Sequence, residues 1–112
     1  MNLFNKGMLG LLLAWIITTP AWAYEPLEEI RILNRCVNCY LVGVDLQNLD
    51  MTEANLQGSR LDNANLRGAT LYKANLSGVS LKGADLTGAL WVDGVTICKK
   101  GSIGRCLATE QP

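Results

Sequence analysis

Ala64-Asn65-Leu66-Arg67-Gly68, Ala74-Asn75-Leu76-Ser77-Gly78 and Ala84-Asp85-Leu86-Thr87-Gly88 share one five-residue pattern in one phase. Stepping by five from Leu41 gives Leu46, Met51, Leu56, Leu61, Leu66, Leu71, Leu76, Leu81, Leu86 and Trp91, so eleven consecutive positions are large and apolar. Two residues before each stand Cys39, Val44, Leu49, Ala54, Ser59, Ala64, Ala69, Ala74, Val79, Ala84 and Ala89, all small or apolar. Leu49 and Ser59 are the irregular members of that set. The residue between the two is usually Asn or Asp, and the residue two after the large one is often Gly, as at Gly58 and Gly68.

Neither a helix nor an ordinary strand explains this period. A helix needs apolar residues at spacings of three and four, and a strand needs strict alternation. Here two apolar positions lie two apart, and a gap of three then resets the phase. Three alternating residues make a very short extended segment. The other two must turn the chain so that the next pair faces inward again, and Gly reaches the positive φ such a turn needs at little cost. A segment and a turn repeated at fixed length wind into a solenoid.

These Ala-Asn-Leu-x-Gly and Ala-Asp-Leu-x-Gly units resemble the pentapeptide-repeat proteins. The resemblance covers residues 39–93. It implies an all-β fold, a right-handed quadrilateral β-helix with four pentapeptides to a turn. The central residue and the small residue before it would both face inward. The array would then make about 2.75 coils in a column on the order of 13 Å tall, taking the strand spacing as the rise. Residues twenty apart would stack, as Leu46, Leu66 and Leu86 do.

The chain outside the array divides into three parts. Residues 1–23 read as a secretory signal peptide: Lys6, an apolar stretch from Gly7, Pro20, and the small residues Ala21 and Ala23 before an expected cleavage. Residues 24–38 hold a short capping helix over Glu25 to Leu33, with Leu27, Ile30 and Leu33 on the face that covers the first coil. Residues 94–112 form a disulfide loop and a tail, of which Leu107 to Pro112 is expected to fray.

All four cysteines, Cys36, Cys39, Cys98 and Cys106, follow the leader, and an even count in a short exported chain reads as two disulfides. Four cysteines allow three pairings. The column implied by the resemblance is too tall for a bond between its ends, which favours Cys36–Cys39 and Cys98–Cys106.

Without Lys6, nine basic and ten acidic side chains remain, a net charge of −1. Nucleic-acid binding needs a basic field, and none is expected here. There is no His, so the commonest general base is absent. The Cys36/Cys39 pair raises the alternative of a thiol–disulfide protein. It follows the helix, however, and a helix C-terminus favours the thiol over the reactive thiolate. A four-Cys zinc site is disfavoured, because the array separates the two pairs. Asp45, Asp50, Glu53, Asp62, Asp85 and Asp93 read as repeat residues on solvated faces rather than as a catalytic pair, which needs a cleft. A DNA-mimic inhibitor is a further alternative within the family, but it needs a long acidic column.

The expectation is therefore a non-catalytic exported module with no cofactor and no metal, binding an unknown protein partner and not stably inserted in a membrane once the signal is cleaved. Tyr72, Leu90 and Val92 form a possible interaction patch on one side. Tyr40, Arg60, Ser80, Asp62 and Lys82 form a charged ladder on another. The resemblance is to small exported cyanobacterial members, which implies the periplasm or thylakoid lumen.

Overall fold

The computed structural model of the protein describes residues 26–108. The expected signal peptide lies outside the described residues. Helix α1 (Pro26–Leu33) comes first. Pro26 opens it with the φ a first turn requires, and Glu28 and Glu29 meet the positive end of its dipole. Asn34 ends it in the left-handed conformation, φ 54°, and its N–H reaches the Ile30 carbonyl at 2.9 Å.

Four columns of parallel bridges follow, each joining residues twenty apart. They run through Arg35, Asn55 and Asn75; Tyr40, Arg60 and Ser80; Asp45, Asn65 and Asp85; and Asp50, Thr70 and Leu90. Twenty residues are four pentapeptides, so each coil has four sides. The first bridge is at Arg35, so coiling begins immediately after α1 and before the expected start at Cys39. Cys36 occupies the large inward position of that first unit.

The backbone is satisfied in a repeating way. Leu41 N–H donates to the Arg60 carbonyl at 2.8 Å, and Arg60 N–H donates to the Cys39 carbonyl at 2.9 Å, tying one coil to the next. Within a unit, the N–H of the small residue closes the turn onto the preceding large residue, as from Ala54 to Met51 at 3.0 Å. The corner residue has positive φ in every unit from Asn38 to Gly88, including the non-glycines Glu53 and Lys73. The Asn or Asp of the unit accepts the N–H two residues on, as Asn65 Oδ1 does from Arg67 at 3.1 Å. This is an Asx turn, and it explains the amide and carboxylate preference at that position.

Leu41, Leu46, Met51, Leu56, Leu61, Leu66, Leu71 and Leu86 are fully buried. Leu76, Leu81 and Trp91, expected in the same column, are only half-buried because no further coil stacks on them. Leu86 escapes this fate because the chain after Gly94 folds back over it. Leu86 N–H donates to the Ser102 carbonyl at 2.8 Å, and Ser102 and Cys98 are buried there.

That return segment pairs antiparallel with the last coil, Leu90 with Ile97 and Asp85 with Ile103. It covers the strand edge that a solenoid would otherwise expose. Two expectations change. Leu107 and Ala108 are not frayed: the Leu107 carbonyl accepts Lys99 N–H at 2.9 Å, and Ala108 bridges Cys98. On α1, Ile30 is buried and Leu27 packs on the core, but Leu33 is exposed, because the chain leaves the helix there to enter the coil.

Candidate functional site

Of the four ion pairs among the described residues, Arg35–Glu29 at 4.0 Å joins the first coil to α1, and the other three lie on the outer faces. On the Tyr40–Arg60–Ser80 side, the Arg60 guanidinium lies 2.9 Å from Asp62 and 5.8 Å from the Tyr40 ring centroid. Asp62 also accepts the Ser80 hydroxyl. That hydroxyl and then Arg60 hold its carboxyl below the ordinary aspartate range. Asp62 is buried, which its repeat position had not suggested. On the next side Arg67 pairs with Asp85 at 3.0 Å. The Thr87 hydroxyl is the main cause of the lowered Asp85 pKa, and Arg67 adds to it. At the fourth corner Lys73 stands 3.8 Å from Glu53.

The remaining acids are held in turns. Asp50 accepts the Thr52 hydroxyl and amide, and Asp93 accepts those of Thr96. Both carboxyls lie below their ordinary range for that reason. Asp45 accepts the Gln47 amide at 3.0 Å. Each acid within residues 45–93 thus has a structural partner in its own repeat or the neighbouring coil.

Tyr72, Leu90 and Val92 share one side. Leu90 continues the column of Asp50 and Thr70. Tyr72 is 37% exposed, while Leu90 and Val92 are half-buried. The Tyr72 ring lies against Gly94, where a β-carbon would collide with it, and Lys73 Nζ sits 5.2 Å from the ring centroid. Part of the ring therefore serves the Gly94 turn.

Cys36 is bonded to Cys39, with Cα atoms 5.5 Å apart, and Cys98 to Cys106, with Cα atoms 4.9 Å apart. Cys36 is fully buried and Cys39 half-buried. Glu29 brings a carboxylate oxygen within 4.8 Å of both sulfurs of the first bridge. A carboxylate and a helix C-terminus both oppose a thiolate, so this pair lacks the field that activates a redox cysteine. Joined as a disulfide, the sulfurs are not free to ligate an ion.

Ser59, irregular at its small inward position, has a role that the repeat pattern does not state. Its hydroxyl accepts Cys39 N–H at 3.0 Å and donates to the Cys36 carbonyl. The available signal was positional: Ser59 lies twenty residues from Cys39, directly above it in a four-unit coil.

A family model described as pentapeptide repeats matches residues 35–58 and 50–88, with eight copies. The pentapeptide repeat protein Rfr23 from the cyanobacterium Cyanothece 51142 is 43% identical, over 51% of this chain and 40% of its own, with a TM-score of 0.50. HetL from the cyanobacterium Nostoc sp. strain PCC 7120 is a pentapeptide repeat protein involved in heterocyst differentiation regulation. It is 32% identical over 54% of this chain and 33% of its own, with a TM-score of 0.21. The chain spans less than half the length of either relative. No curated protein matches it. The period of five, the four-unit coil and the family match agree, and residues 35–88 are an array of pentapeptide repeats.

Proposed function

We propose that the protein is a non-catalytic, exported right-handed quadrilateral β-helix that binds a protein partner on the side carrying Tyr72, Leu90 and Val92. One observation carries the reading: the Asp50–Thr70 column turns apolar at Leu90, next to the exposed edge of Tyr72. The inward side chains form the core, and the acids are held in turns and ion pairs, so the free chemistry of the column lies on its outer faces. The leader pattern in residues 1–23 supports export to a periplasm or thylakoid lumen.

The test is capture of a partner by the tagged chain in its native compartment, beside a Tyr72→Glu, Val92→Lys variant whose circular dichroism is unchanged. A partner held by the first chain and lost by the second is expected. Equal capture by both would refute this side as the binding face.

A further inference from the structure

The segment that folds back over the last coil has a charge pattern unlike the rest of the column. Residues 94–108 contain Lys99, Lys100 and Arg105 and no acidic residue. All three are exposed, and none forms an ion pair among the described residues. Glu110 follows outside the described residues. The same segment exposes Val95, Ile97 and Ile103, at 77%, 43% and 53%.

Backbone pairing places these residues on one rim. Ile97 pairs with Leu90 and Ile103 with Asp85, so the two isoleucines stand on adjacent sides of the last coil. Lys99 and Lys100 round the corner between them, next to the point where Gly88 N–H meets the Cys98 carbonyl at 2.7 Å. The Cys98–Cys106 bond brings Arg105 back beside Lys99. Cys98 and Ser102 take the inward positions, which leaves the isoleucines and cations to face out. The two nearest acids are occupied: Asp85 by Arg67 and Thr87, and Asp93 by Thr96 and the Val95 amide.

We propose that this capped end is a docking surface for an anionic lipid bilayer. A basic patch alone would suit any polyanion, and an apolar patch alone would suit any apolar partner. Here cations and bare aliphatic side chains share one disulfide-fixed rim with no free acid. That combination fits a headgroup boundary, where cations meet phosphates and aliphatic chains enter the acyl edge. Docking end-on leaves the sides of the column free, so the proposal does not rest on the Tyr72 face.

The experiment is flotation of the full chain with vesicles of phosphatidylcholine, or of equal parts phosphatidylcholine and phosphatidylglycerol. The readout is the ratio of binding between the two, compared between chains that differ only in the cap, so that residues 1–25 contribute equally. The ratio should fall about fivefold for each cation removed, roughly 25-fold in Lys99→Gln, Lys100→Gln. It should also shrink as salt rises. Ile97→Ser, Ile103→Ser should weaken binding at unchanged net charge. Unchanged melting in each variant shows that the fold is retained. A ratio that ignores these substitutions, or equal binding to neutral vesicles, would overturn the proposal. Capture by immobilised polyglutamate without flotation would assign the rim to an acidic protein and overturn it too.

Discussion

Ser59 sits inside the turn that Cys36 and Cys39 close. In other units the small residue's N–H reaches the carbonyl three residues back, as Ala64 does to Leu61 at 3.0 Å. At the disulfide the hydroxyl of Ser59, from the coil above, stands between the two groups, accepting from Cys39 N–H and donating to the Cys36 carbonyl. Ser59 is fully buried. Ser59→Ala should therefore leave a donor and an acceptor unpaired under the first coil and lower stability by about 1–3 kcal/mol. Chemical denaturation of the oxidised protein measures this. A loss no larger than that of an exposed serine, such as Ser77→Ala, would contradict the role.

Gly43 and Gly58 have the same φ, 72°, but different surroundings. A β-carbon on Gly43 meets nothing, while one on Gly58 runs into the Asn38 side chain of the coil below. Gly43→Ala should carry only the left-handed backbone penalty, roughly 1–2 kcal/mol. Gly58→Ala should be worse, and Asn38→Gly should recover the excess. Melting of the three single variants and the Asn38→Gly, Gly58→Ala double variant checks this.

Leu66 lies between Leu46 and Leu86 and is fully buried, whereas Leu81 is the half-covered top of its column. Leu66→Ala should destabilise by roughly 2–5 kcal/mol, and Leu81→Ala by less. Leu66→Asp should abolish the fold, since nothing in that column can pair a carboxylate. Far-ultraviolet circular dichroism and melting decide it.

Asp62 gives a pH signature. Its folded pKa lies below the unfolded value, near ~4, because Ser80 and Arg60 favour the charged form. The stabilisation is complete above the unfolded value and is lost as pH falls through the depressed folded value. Asp62→Asn should melt below the unaltered protein at neutral pH, and the gap should close in acid. A gap independent of pH would mean that the carboxylate charge contributes nothing.

The return segment protects the last coil. Removing the Cys98–Cys106 bond as a paired alanine variant should reduce stability by about 2.5 kcal/mol, on the loop-entropy estimate for a loop of this length. Hydrogen exchange should speed up first at Leu86 and Gly88, whose amides donate to the Ser102 and Cys98 carbonyls.

The period of five, the inward phase from Leu41 and the corner positions followed from the order of residues alone. A side chain's direction in a regular repeat depends only on its place in the repeat, so Leu46 and Leu66 had to face alike. What the sequence could not supply was which residues meet across coils. Ser59 against Cys36 and Cys39, Ser80 against Asp62, and Asn38 beneath Gly58 are each contacts between stacked coils. They need the exact rise and rotation of one coil on the next, which no five-residue pattern encodes. The C-terminal cap depended on tertiary structure most of all. Residues 94–108 have no repeat of their own, and their direction is set by the open edge of the last coil, whose unpaired amides must find carbonyls.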